Sequence, residues 1–241
     1  MSGQVNVWIA QPAELDDADL LAAYERLMSD DERVKQRSFV FERNRREYLV
    51  SRALLRSTLS KYDAIEPEAW RFVRDEHGRP AIAWPSPLRF NLAHHPTMVV
   101  CAVTTGAALG IDVEPIDRGR EILRIAAKTF AKPELDALGA LPPEAAAERA
   151  VTLWTLKEAY IKARGLGLSL PLDDFAFSFD DSADPRIAFA ATMDDRPERW
   201  AFRTRDVNGH RIALAVELGS CALEIRFHLN VPLCDSVRLP L

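Results

Sequence analysis

The sequence predicts an α+β fold made of two similar lobes, each with an antiparallel sheet packed on helices. With 241 residues, 48% of them hydrophobic and 28% charged, the chain has the composition of a globular protein and the length of one large or two small domains. Helical periodicity comes first, short alternating strands follow, and the same order then occurs a second time. This repeated order predicts an N-terminal lobe over residues 1–107 and a C-terminal lobe over residues 108–241.

In the first half, a strand at Val5–Ile9 precedes an amphipathic helix over residues 13–28 and a second helix over Asn44–Tyr62. Two extended arms about "DEHG" (residues 75–78) then predict a hairpin. Three further strands are predicted at "LRFNLA", "MVVCAVT" and "ALGIDVE". We therefore expect the first lobe to consist of helices followed by an antiparallel meander.

The second half repeats this order. Helical patterns cover about residues 120–130, 133–140 and 144–164. Five strand-like runs follow them: "DFAFSF", "RIAFAA", "RWAFRTR", "RIALAVEL" and "LEIRFHL". The junction of the two lobes is expected near residues 105–112.

The cysteines and the apolar runs indicate a cytoplasmic protein. Cys101, Cys221 and Cys234 form no CxxC pair and are odd in number, so we expect three buried free thiols in a reducing compartment. The N-terminal "MSGQVNVWIA" lacks the pattern of a signal peptide, and "MVVCAV" is too short to span a bilayer. No membrane partner is expected.

The charge is unevenly distributed. A net charge of −5 argues against a general nucleic-acid binder. Eight basic residues nevertheless stand against two acidic ones between Arg33 and Arg56, a local charge of +6. An anion with more than one phosphate is a suitable ligand for such a segment, although basic helix faces are often only solvated.

Two acidic residues stand out in "ALGIDVEPID", residues 107–116. Asp112 and Glu114 are two positions apart in a strand, so their carboxylates leave the same face and repel each other. A second dense stretch, "LWTLKEAYIKARGLGLSL", places Glu158 and Lys162 four residues apart on a helix that Gly165 is expected to end. Taken singly, these residues fit a solvated strand face and a helix salt bridge better than they fit a metal site.

Together, these stretches resemble the 4′-phosphopantetheinyl transferases, in particular the long, Sfp-type members. The family pattern is G-[IV]-D-x-E followed by W-[ST]-x-K-E-[SA]-x-x-K, which this chain meets with "GIDVE" and "WTLKEAYIK". Further segments are similar in the same order: "RREYLVSRALLRSTLSKY", "DEHGRPAI", "RFNLAHH" and "TFAKPELDAL".

The resemblance implies a fold of two similar α/β lobes related by a pseudo-two-fold, with coenzyme A and Mg²⁺ in the cleft between them. It implies transfer of the 4′-phosphopantetheine arm of coenzyme A to a serine of an apo acyl or peptidyl carrier protein, with release of 3′,5′-ADP. The length suggests a monomer that serves carriers of secondary metabolite biosynthesis, such as polyketide or peptide synthetases. The alternative is a non-catalytic coenzyme A or carrier-protein binding module.

The resemblance also assigns roles to residues. It implies that Asp112, Glu114 and Glu158 bind Mg²⁺ and that Asp112, Glu158 and Lys162 are catalytic. The base is either Glu158 or a metal-bound water. The implied coenzyme A contacts are Arg52, Arg79, His94, Lys157 and Lys162; Lys157 could equally serve the surface or carrier docking. Two departures concern this cofactor: Ala93 stands where most members have serine, and Glu47 where some have a basic residue.

Overall fold

A computed structural model describes residues 3–75, 78–167, 170–180, 184–219, 222–234 and 236–240. Its Cα positions divide the chain into two compact units. The first consists of Met1–Gly106 together with Leu223–Leu241, and the second of Ala107–Ala222. The α+β class is confirmed, because each unit contains its own helices and sheets.

The first unit is built on a five-stranded sheet of order β12-β11-β1-β5-β4. Its strands are β1 (Gly3–Ala10), β4 (Leu88–His95), β5 (Met98–Thr105), β11 (Leu223–Asn230) and β12 (Ser236–Arg238). All neighbouring pairs are antiparallel except β1 and β11, which run parallel. A separate hairpin joins β2 (Phe72–Arg74) and β3 (Pro80–Ile82); Glu76 and His77 of its "DEHG" turn lie outside the described residues.

Three helices accompany this sheet: α1 (Ala18–Leu27), α2 (Asp30–Ser38) and α3 (Glu42–Leu59). Helix α3 buries Leu54, Leu55 and Leu59 completely in the core of the unit. Helix α2 was not predicted from the sequence. It begins at a capping box in which Ser29 and Glu32 satisfy each other's backbone N–H groups.

The second unit contains a three-stranded antiparallel sheet of order β6-β10-β9. Its strands are β6 (Leu109–Pro115), β9 (Trp200–Val207) and β10 (His210–Glu217), and a hairpin pairs β7 (Phe175–Ser178) with β8 (Arg186–Phe189). The helices are α4 (Gly119–Ile125), α5 (Lys132–Gly139) and α6 (Pro143–Arg164). Helix α6 is central to this unit, since its residues Leu156, Ala159 and Tyr160 are fully buried. It ends at Gly165 in the left-handed conformation, as predicted (φ 68°).

Three expectations are corrected. Residues 223–241 belong to the first unit, because β11 completes its sheet by pairing along β1. The "GIDVE" strand does not extend the first-half meander but pairs with β10 in the second unit. Cys234 is an exposed thiol; Cys101 is buried, and burial raises its pKa to about 12. Cys221 lies outside the described residues.

None of the helices in the described ranges combines the length and the apolarity needed to cross a bilayer.

Candidate functional site

Gly110 of "GIDVE" lets helix α6 pack directly on strand β6. A Cβ atom at position 110 would stand 2.1 Å from the backbone oxygen of Ala159 and 2.3 Å from the backbone nitrogen of Ala163, both in α6. Residues 110, 112 and 114 share one strand face, so the helix covers the face from which Asp112 and Glu114 project. The glycine of the motif therefore places the two acidic residues against α6.

Asp112 is buried and paired on one oxygen only. Its Oδ1 accepts a hydrogen bond from Lys162 Nζ of α6 at 2.6 Å. Its Oδ2 is buried and has no hydrogen-bond partner among the described atoms. A buried acceptor without a partner costs on the order of 1–3 kcal/mol, so a positively charged ligand bound to this oxygen would be stabilising.

Glu114 is engaged on both oxygens. Trp154 Nε1, on α6, donates to its Oε1 at 3.1 Å, and Arg118 forms a short ion pair with its Oε2. Burial raises the pKa of Glu114, and the charge of Asp112 raises it further. The carboxylate is thus held between an indole and a guanidinium group while a second carboxylate repels it.

Glu158 lies one helical turn from both Trp154 and Lys162, on the same face of α6. Its side chain is partly exposed and makes no hydrogen bond or ion pair with any residue in the described ranges. Burial raises the pKa of Glu158; Asp112 and Glu114 add to the shift and Lys162 opposes it. The three carboxylates therefore form one electrostatic cluster.

The carboxylates of Asp112, Glu114 and Glu158 are chemically suited to a hard divalent cation, but their positions do not form a complete set of ligands. Within the described ranges, no group of three or more His, Cys, Asp or Glu side chains is arranged to hold a metal ion as it stands. Carboxylate oxygens are the ligands that Mg²⁺ prefers, and the unpartnered Asp112 Oδ2 and the unpaired Glu158 are available to it. Glu114 Oε2 is paired with Arg118.

Lys157 is structural, which corrects the expectation that it contacts coenzyme A, the surface or a carrier protein. Its side chain is 1% exposed, and Nζ uses all three of its hydrogens: one on Glu134 Oε2 at 2.8 Å and two on the carbonyls of Leu172 and Phe175 at 2.7 and 2.6 Å. Glu134 in turn accepts the backbone N–H of Phe177 at 2.8 Å. Burial lowers the pKa of Lys157, and the Glu134 carboxylate opposes that shift. The pair ties α6 to β7 and to the turn before it.

Two arginines of helix α3 are already paired within the protein, so the helix has fewer free positive charges than its composition suggested. Arg56 is 1% exposed and pairs with Glu32 at 2.7 Å, while also donating to the carbonyl of Trp70 at 2.7 Å. Arg52 has a longer contact to the same glutamate, 3.9 Å, and its guanidinium lies 5.2 Å from the ring centre of Tyr48. Burial lowers the pKa of Arg52. Of these two arginines, Arg52 makes the weaker contact with Glu32.

The remaining predicted cofactor residues of the first unit each have an acidic neighbour. Arg79 Nε lies 3.2 Å from Asp75 Oδ2. His94 Nδ1 lies 2.7 Å from Glu47 Oε1, on a side chain that is 53% exposed. The unusual Glu47 thus contacts the predicted phosphate-binding histidine. Ala93, beside it in β4, is buried.

Sequence reasoning missed the residues that hold the acids. Arg118 is four positions from Glu114, and this spacing was the available signal; Trp154 is 40 positions from the Glu114 that it contacts and had none. Glu134 had no such signal, because it is 23 positions before Lys157 and reaches it only through the tertiary fold.

Comparison with known proteins agrees with the resemblance. Residues 108–215 match the model of the 4′-phosphopantetheinyl transferase superfamily, and residues 14–106 match that of the 4′-phosphopantetheinyl transferase N-terminal domain. A 4′-phosphopantetheinyl transferase of Bacillus subtilis is 30% identical over 233 residues, which cover 97% of this chain and 95% of the relative. HetI of Nostoc sp. is 33% identical over 70% of this chain and 72% of its own length. Sfp of Bacillus subtilis is 34% identical over 62% of this chain and 65% of its own length.

The chain therefore belongs to the 4′-phosphopantetheinyl transferase superfamily, and its Sfp-type character is confirmed.

Proposed function

We propose that the protein transfers the 4′-phosphopantetheine arm of coenzyme A to a serine of an apo carrier protein, with Mg²⁺ held by Asp112, Glu114 and Glu158 and with release of 3′,5′-ADP. Family membership supports the reaction class, since the relatives named above are 4′-phosphopantetheinyl transferases. The observation that best supports Mg²⁺ binding is the buried Oδ2 of Asp112, which has no described hydrogen-bond partner and lies near the unpaired Glu158.

The reaction breaks one phosphorus–oxygen bond and forms another. The serine Oγ attacks the phosphorus on the pantetheine side of the pyrophosphate, the bond to the nucleotide phosphate breaks, and 3′,5′-ADP leaves with the electron pair. When bound, Mg²⁺ supplies charge neutralisation on the pyrophosphate oxygens. What remains for the protein is to position the phosphates, to place a cation beside them and to accept one proton.

Lys162 and Glu158 fit the last two of these tasks. The Lys162 side chain is 29% exposed and, among the described residues, forms an ion pair with Asp112 alone, so the ammonium can donate to a phosphate oxygen as well. Glu158 is proposed to accept the serine proton on a carboxylate oxygen that the cation leaves free. No hydrogen bond within the described ranges competes for that proton site.

Arg52, Arg79 and His94 remain the proposed coenzyme A contacts of the first unit. Each offers nitrogen atoms that can bind a phosphate oxygen, and each has an acidic partner that a phosphate can replace. We also propose that the enzyme is a cytoplasmic monomer that serves secondary-metabolite carriers. The free thiols of Cys101 and Cys234 support a reducing compartment.

The test is to incubate the full chain with coenzyme A, Mg²⁺ and a panel of apo carrier proteins, and to weigh the carriers by mass spectrometry. We expect at least one carrier to gain the mass of the phosphopantetheine arm, and a reaction with chelator in place of Mg²⁺ to show no gain. A carrier whose serine is replaced by alanine is the matched control. If no carrier gains the arm, the proposed reaction is wrong; if a carrier gains it equally well with chelator, the metal role is wrong.

A further inference from the structure

Arg118 stands where β6 gives way to helix, at the end of a single 3-10 turn formed by Ile116–Arg118. Its guanidinium makes a short ion pair with Glu114 Oε2 through one terminal nitrogen. The other two nitrogens bind Glu121, with Nη2–Oε1 at 2.8 Å and Nε–Oε2 at 3.2 Å. The arginine is thus shared between an acid of the site and an acid of α4.

The environments of the two glutamates differ. The Glu114 side chain is 13% exposed, while that of Glu121 is 62% exposed. A positive charge on Arg118 therefore compensates a buried carboxylate that Asp112 repels, at the position where the proposed cation would otherwise supply that charge.

We propose that Arg118 is a positioning residue that holds Glu114 in the metal-free protein and yields its oxygen Oε2 to the entering divalent cation. This inference rests on the proposed function, since it takes Glu114 as a ligand of that cation. Of the three proposed ligands, Glu114 is the one that an arginine holds on one oxygen and an indole holds on the other.

The exchange of Arg118 for the cation at Glu114 Oε2 changes few other contacts. Arg118 loses one contact, to Glu114, and keeps both contacts to Glu121. Glu114 keeps the indole of Trp154 on Oε1, so the carboxylate stays oriented while Oε2 changes partner. Arg118 and the divalent cation are then competitors for one oxygen, and removing Arg118 must strengthen cation binding.

The experiment is a titration of the full chain with Mn²⁺, in which electron paramagnetic resonance measures the concentration of free Mn²⁺. Mn²⁺ serves as the probe because it takes the same oxygen ligands as Mg²⁺. We expect Arg118→Ala to lower the Mn²⁺ dissociation constant about five- to tenfold, as removal of a charge-assisted contact allows. Arg120→Ala is the matched control, because Arg120 has the same charge two positions away but pairs with the exposed Glu144; we expect its dissociation constant to equal that of the wild type.

A double-variant cycle tests whether the effect passes through Glu114. In a Glu114→Gln background, adding Arg118→Ala is expected to leave the Mn²⁺ dissociation constant unchanged, because no carboxylate remains to compete for. The proposal is overturned if Arg118→Ala binds Mn²⁺ as the wild type does or more weakly, if Arg120→Ala tightens binding equally, or if the effect persists without Glu114. Failure of the proposed function gives a different result: a wild-type chain that binds no Mn²⁺, or that loads no carrier.

Discussion

Helix α6 makes two lysine–carboxylate pairs whose surroundings are opposite. Lys157 and Glu134 are 1% and 0% exposed, and backbone groups satisfy every remaining hydrogen-bonding position of the lysine. Lys162 and Asp112 are 29% and 9% exposed, and one oxygen of the aspartate has no described partner. Five residues of α-helix place the two lysines about 140° apart around the axis.

The difference shows how a family motif can hold two roles at adjacent positions. In "LKEAYIK", the first lysine anchors the helix to the core, and the following glutamate and the second lysine face Asp112. A buried ion pair whose hydrogen-bonding positions are all filled specifies where the helix lies. An ion pair with an unfilled position at a partly exposed site can still bind a ligand. We infer that Lys157 sets the position of the group next to it, Glu158, without itself reaching the chemistry.

The largest effect on carrier loading is expected at the pair of Lys162 and Asp112, in which one carboxylate oxygen has no described partner. Asp112→Asn removes the charge that the proposed cation needs and keeps the shape of the side chain. We expect carrier loading to fall by about 10²–10³-fold or more, a loss typical for removal of a group that stabilises transition-state charge. The measurement is the initial rate of carrier mass gain at saturating coenzyme A, with circular dichroism as the check on folding. Near-normal loading by a folded Asp112→Asn would remove Asp112 from the metal site.

The second prediction concerns the buried pair of Lys157 and Glu134. Lys157→Met leaves Glu134 buried without its counter-ion, so we expect the free energy of unfolding at pH 7 to fall by roughly 3–5 kcal/mol. Adding Glu134→Gln removes the stranded charge and is expected to recover part of the loss. Urea unfolding of the wild type and of these two variants measures this. Loss of turnover in a Lys157→Met protein that retains wild-type stability would instead return Lys157 to the cofactor site.

The third prediction concerns Lys162, whose partner is only partly buried. Lys162→Ala removes the cation proposed to face the phosphates, and we expect loading to fall by about 10–100-fold with a loss of stability near 1 kcal/mol or less. Lys162→Arg is the control, because it keeps the charge beside Asp112. A comparison of kcat and KM for coenzyme A locates the loss. If Lys162→Ala loads carriers as fast as the wild type, the ammonium has no role beyond its pair with Asp112.

The sequence predicted the class of fold and the elements around the acids because these depend on local pattern. Gly110, Asp112 and Glu114 sit on one short strand, and Glu158 and Lys162 on one helix, so period and spacing sufficed to place them. The end of α6 followed likewise from Gly165.

What the sequence did not predict depends on pairings between distant segments. Strand β11 joins β1 across almost the whole chain, and no local pattern specifies that partner. The burial of Lys157 depends on Glu134 and on the carbonyls near β7, which only the packed helix brings together. The family motif marks both lysines alike, so it could not show that one is enclosed and the other is not.

The smallest expected effect lies in the first unit, where a third pair joins the exposed His94 to Glu47. If His94 contacts a phosphate of coenzyme A, a carboxylate 2.7 Å from its Nδ1 repels that phosphate and competes for the imidazole. Glu47→Gln is therefore expected to lower KM for coenzyme A about two- to threefold at low salt, with kcat unchanged. Glu42→Gln is the matched control, because Glu42 is an exposed acid on the same helix that pairs with Arg45 instead. An unchanged KM in Glu47→Gln, or an equal decrease in both variants, would separate His94 from the cofactor and leave the His94–Glu47 pair with a structural role like that of Lys157 and Glu134.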